Sequence, residues 1–224
     1  MRFGLSAVLA TGACSFMQHP AKVSDEGNGR VPAEQLKEVD ALRAKEAQAT
    51  DTIARCDVAI RAAKNEVEAA QPELKASEAL VEQALAARKQ AEYDRKPAAI
   101  EQAGLNESVS RARQQAANAW VRAAKVQVEQ AEAAKRSAEA EREAIRAQIE
   151  VAKYDALVRT GDPEAQKVEA SNLHARREQA QQRLEEARRK EADLAGKLEQ
   201  ARTTWRKDRE SYESMRGSGG TGRK

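Results

Sequence analysis

The sequence predicts an all-α protein, an elongated antiparallel coiled coil in which three long helices form a bundle with flexible termini. Composition is the first reason. Aromatic residues make up 3% of the chain and charged residues 33%, while about a fifth of it is alanine. A rounded core needs bulky side chains to fill it, whereas methyl groups suit helices packed closely side by side. Abundant Ala, Glu, Lys, Leu, Arg and Gln also favour long helices. Sparse punctuation is the second reason. Between Pro32 and Met215 the strong breakers are Pro72, Pro97, Gly104, Gly161, Pro163 and Gly196. The third is a three-four alternation of apolar residues, the mark of a coiled-coil seam.

The first helix is expected over about 33–95. Its seam reads Val39, Leu42, Ala49, Ile53, Cys56, Ile60, Ala63, Val67, Ala70, Leu74, Val81, Ala84 and Ala91. The register passes through Pro72, which predicts a kink there and no boundary. Lys96-Pro97 and Gly104-Leu105-Asn106 bracket an expected reversal, with the second helix over about 106–159. Without a reversal the first two segments would be one very long helix. The bundle is favoured because long isolated helices gain little without packing partners.

The second seam is Val109, Ala112, Ala116, Ala119, Ala123, Val126, Ala133, Ala140, Ala144, Ala147, Val151, Tyr154 and Val158, interrupted by Gln130 and Ser137. Gly161 suits a left-handed helix end, Asp162 an N-cap and Pro163 a first helical position. They predict a third helix over about 163–215, antiparallel to the second because the connection is short. Its seam runs through Ala170, Leu173, Ala180, Leu184, Ala187, Leu194, Leu198, Ala201, Trp205, Tyr212 and Met215, with Arg177, Glu191 and Asp208 interrupting. Trp120 and Trp205 are almost equally far from Asp162 in sequence. A reversal there sets both indoles at one height; they, and separately Cys56 on the first seam, are candidates for setting helix pairing and register. Residues 216–224, Gly-rich and basic, are expected to be a disordered tail.

The amino terminus has a different character. A basic start, an uncharged apolar stretch from Phe3 to Ala13 and small residues before Cys14 describe an export signal over 1–13. That stretch is too short to span a bilayer. Leu9-Ala10-Thr11-Gly12-Ala13-Cys14 resembles the lipobox of bacterial lipoproteins. The resemblance implies a diacylglycerol thioether on Cys14, cleavage before it and anchoring by acyl chains. Ser15 stands where, in enteric members of that family, Asp favours inner-membrane retention. The resemblance therefore implies an outer-membrane lipid anchor facing the periplasm, against a cytoplasmic alternative. Residues 14–32, with His19, Pro20, Gly27 and Gly29, read as a flexible linker. The terminal Arg223-Lys224 is similar to the end of the Braun's lipoprotein family, which implies peptidoglycan attachment through Lys224.

Catalytic, cofactor and metal sites are not expected. Gly217-Ser218-Gly219-Gly220-Thr221-Gly222 has dinucleotide-binding spacing, but that motif needs a strand before it and a helix after it. Cys56 lies on the seam, where a small buried residue is the plain reading and an intermolecular disulfide the alternative. His19 and His174 lack partners at metal-ligand spacing, and His174 with Glu178 reads as a surface pair. Charges of both signs alternate along the chain at a net charge of +3. That argues against nucleic acid, which calls for a one-sided basic stripe. The expected partners are a membrane, through the lipid anchor, a protein or a second copy, and peptidoglycan. The expected role is a structural scaffold that spaces or tethers membrane and wall. The alternative is a chaperone-like or adaptor module whose helical arms hold protein clients.

Overall fold

The computed structural model describes Val23 and residues 29–218. It is all-α. A short 3-10 turn at Ala33–Leu36 leads into α1, Lys37–Tyr93. Helix α2 spans Pro97–Thr160, a second 3-10 turn covers Pro163–Lys167, and α3 spans Ala170–Ser218. At 1.5 Å per residue the 64 residues of α2 make a rod about 95 Å long. Helix α2 is central, with α1 and α3 each packed along it. Both neighbours run antiparallel to it. Arg88 pairs with Glu107, Lys135 with Asp57 and Arg146 with Glu46 across α1–α2. Arg188 pairs with Glu141, and Arg202 donates to Gln127, across α2–α3.

Three helix boundaries differ from the sequence reading. The first reversal is complete before Pro97, so α2 starts there and not near 106. Arg95 takes a left-handed conformation at φ 54°, and the Lys96 N–H donates to the Ala91 carbonyl. Pro97 then opens α2, a position where its missing N–H costs nothing. Gly104, expected in the turn, lies inside the helix. Its intrinsic cost of about 1 kcal/mol is offset by packing of its neighbours Ala103 and Glu107, both buried. At the second reversal Gly161 ends α2 at φ 68°, the conformation that glycine adopts without strain. Asp162 does act as an N-cap, its Oδ1 accepting from the Glu164 N–H at 2.9 Å. What it caps is the 3-10 turn, and α3 begins only at Ala170. Arg216 to Ser218, expected in the tail, complete α3. Residues 219–224 lie outside the described residues.

Helix α1 runs through Pro72 and buries one stripe at every seventh residue: Leu42, Ala49, Ala63, Ala70, Ser77, Ala84 and Ala91, with half-buried Cys56 completing it. Ser77 is tolerated there because its Oγ donates to the Leu74 carbonyl at 2.7 Å. A second stripe, Val39, Ile53, Ile60, Val67, Leu74 and Val81, carries the larger side chains beside it. Small residues on one stripe let the α1 and α2 backbones approach.

Helix α2 has two seams where the sequence showed one. The expected seam is present: Ala112, Ala116, Ala119, Ala123, Ala133, Ala144 and Val151 are buried, and Ser137, read as an interruption, is buried with them. A further stripe, Ala103, Ala117, Ala124, Ala131, Ala138, Ile145 and Ala152, is also buried. At its amino-terminal end α1 packs on this second stripe, where Val39, Leu42 and Ala49 meet Ile145, Ile149 and Ala152. Val158, assigned to the seam by sequence, is 51% exposed, while Leu157 beside it is fully buried against Leu173 of α3. The last turn of α2 has rotated that position outward. On α3 the expected seam holds, with Leu173, Leu184 and Leu198 buried, until it opens at Met215, 42% exposed.

Candidate functional site

The most distinctive layer of the rod lies toward the α1–α2 turn and joins all three helices. Trp120 of α2 and Trp205 of α3 stack with ring centroids 6.3 Å apart and planes 20° from parallel. The reversal at Gly161 places them at one height, and neither side chain is fully buried. A partly buried indole N–H seeks an acceptor. That of Trp120 reaches across to α1 and donates to Glu66 Oε1 at 2.8 Å. Two turns of α1 further on, Glu73 receives Arg113 of α2 at 2.8 Å. The hydrogen bond to Glu73 holds the Arg113 guanidinium more basic than usual. The guanidinium of Arg209 lies 6.0 Å from the Trp205 ring centroid, in reach of its π face. Glu66, Glu73, Arg113, Trp120, Trp205, Arg209 and Tyr212 together line an open groove.

In this layer Trp120–Glu66 and Arg113–Glu73 join α2 to α1 at one level. The small stripe of α1 has nearly the same residue at each heptad, so a seven-residue slip would keep its packing. It would leave one of Trp120 and Arg113 without a carboxylate, since Glu66 and Glu73 are themselves seven residues apart. Sequence reasoning brought the two tryptophans together and missed Glu66, Glu73, Arg113 and Arg209. Among many glutamates, the one facing an indole is defined only once the position of the first turn is known.

Cys56 lies elsewhere, in the small stripe of α1. Burial pushes its thiol up, and the carboxylates of Glu191 on α3 and of neighbouring Asp57 push the same way. Such a thiol stays protonated and is a poor nucleophile. Lys135 approaches Asp57 at 2.8 Å, and that hydrogen bond raises the Lys135 ammonium. Arg88 and Arg111 both contact the buried carboxylate of Glu107, at 2.9 and 2.8 Å, and hold it below the usual carboxylate range. The concavities between helices are open grooves lined by mixed charges and small side chains. Among the described residues no group of three His, Cys, Asp or Glu side chains converges to hold a metal ion. Cys14, His19 and Lys224 lie outside the described residues.

The fold and this layer define a class: an all-α, coiled-coil-like rod in which no helix among the described residues is long and apolar enough to cross a membrane. No protein-family model, curated protein or solved structure matches the chain.

Proposed function

We propose that this chain is a lipid-anchored, periplasm-facing scaffold of the bacterial envelope that spaces or tethers the outer membrane and the cell wall. The lipobox-like Leu9–Cys14 segment supports the anchor, and Arg223-Lys224 supports a wall attachment. The observation that carries the reading is where α1 begins and α3 ends on a long rod. Helix α1 begins beside the α2–α3 turn, and α3 ends toward the α1–α2 turn. An anchor before α1 and an attachment after α3 are therefore separated by about the length of α3, about 70 Å. Mass spectrometry of protein purified from envelopes tests both ends. The expected result is a mature chain beginning at a diacylglyceryl Cys14, with a muropeptide on Lys224. A soluble chain with Met1 intact would defeat the reading.

A second reading, a chaperone-like or adaptor module, draws on one observation. Tyr93 and Leu105, near the α1–α2 turn, are 84% and 51% exposed. If they grip clients, the protein suppresses aggregation of a chemically denatured test enzyme, and the Tyr93→Ser/Leu105→Ser variant loses that effect. Equal suppression by both would remove the role of this tip.

A further inference from the structure

The residues ahead of α1 were expected to be slack, yet two of them dock on the rod. Val23 is 3% exposed and Val31 7% exposed. Both pack with Val151, Ala156 and Leu157 of α2 and Leu173 of α3, beside the α2–α3 turn. The Val23 N–H donates to Glu150 Oε2 at 2.9 Å. The other oxygen of that carboxylate accepts from buried Lys153 at 3.0 Å. Arg30 approaches Asp162, the residue that caps the 3-10 turn, at 3.8 Å. An apolar pair, a backbone hydrogen bond and an ion pair thus hold Val23, Arg30 and Val31 to one end of the rod.

Docking changes the length of any tether that starts at Cys14. A chain free from Cys14 to the 3-10 turn at Ala33 reaches about 65 Å at about 3.3–3.6 Å per residue. Held at Val23, it reaches about 30 Å. We propose that Val23 and Val31 form a strap that makes the α2–α3 turn the membrane-facing end of the rod and holds it close to the lipid surface. This inference rests on the lipid-anchored reading. Release of the strap would let the same rod stand further from the bilayer without any change in its helices.

The test uses the acylated chain carrying Cys56→Ser, with one added cysteine labelled by a donor dye. The cysteine replaces Lys167, exposed near the α2–α3 turn, or Tyr93, exposed at the far end. The protein is placed in phospholipid vesicles whose headgroups carry an acceptor. Strong energy transfer from position 167 and weak transfer from position 93 are expected, with transfer at 167 lost in the Val23→Asp/Val31→Asp variant. Equal transfer from both positions, or no change in the variant, would overturn the proposal. A second measurement reads the strap without lipid, in the full chain carrying Cys14→Ser. Tryptic cleavage after Arg30 should be about tenfold faster in the Val23→Asp single variant, which leaves the residues flanking that bond unchanged, since docking suppresses local opening. Unchanged helicity by circular dichroism shows that the rod has stayed folded, and Val23→Gly serves as a milder variant. Equally fast cleavage with and without the substitutions sinks the strap itself. An unmodified Cys14 sinks the anchored reading and the orientation with it, and is seen separately by mass spectrometry.

Discussion

Glu107 shows how one side chain ties the turn end of the hairpin. Its carboxylate is buried and receives Arg88 from α1 and Arg111 from its own helix. The pairing depresses its folded-state pKa below that of the unfolded chain. Its contribution to stability is therefore fully present above the unfolded value and is lost as pH falls through the folded one. Wild-type protein should lose thermal stability as pH drops below the ordinary carboxylate range, and Glu107→Gln should show a flatter decline. Melting curves recorded from neutral to acid pH check this. The tryptophan layer makes a second prediction at this scale. Stacked aromatic pairs contribute about 0.5–1.5 kcal/mol beyond area burial. A double-mutant cycle between Trp120→Ala and Trp205→Ala, read by denaturant unfolding, should return a coupling of that size. A coupling near zero would mean that the rings touch without holding the helices together.

At the scale of the element, α1 depends on small side chains. Ala70 is fully buried and its neighbour Ala69 is exposed. Ala70→Leu overfills the seam and should cost about 1–3 kcal/mol. Ala69→Leu should be close to neutral by the same unfolding measurement. Pro72 is exposed in the middle of α1 and deprives one carbonyl of its partner. Pro72→Ala should raise the melting temperature, by about 2–4 °C for each kcal/mol recovered in a chain of this size. The helices were legible in the sequence because heptad repeats survive over many turns. Leu173, Leu184 and Leu198 stand out on α3 for that reason. The second seam of α2 was not legible. Alanine fills so many positions of that helix that Ala117, Ala124 and Ala131 look no more buried than exposed Ala98 or Ala99. The first turn was misplaced because Gly104 reads as a breaker, while Pro97 alone sets the start. That error shifts the α1 residue expected opposite Trp120 and so hid Glu66. Val23 and Val31 went unread because two apolar residues among Gly, Asn, Ser and Pro show no periodicity.

At the scale of the whole molecule, three antiparallel helices give a rod whose long dimension follows α2. Small-angle X-ray scattering should return a maximum dimension near 100 Å for the monomer. A value near half of that would contradict the extended hairpins. The helices meet through stripes of methyl groups and through ion pairs spread along their length, most of them solvent-facing and each contributing about 0–1 kcal/mol. Stability is therefore distributed along the seams and not concentrated in one core. The two ends of the described helical body, at Lys37 and Ser218, leave from opposite ends of this rod. Tension drawn between them loads the α1–α2 and α2–α3 contacts in shear. Every methyl stripe and every crossing ion pair must then yield together, where a pull applied at one end would unzip them in turn. The same weak contacts thus form a strut that is soft to peeling and stiff to lengthwise load.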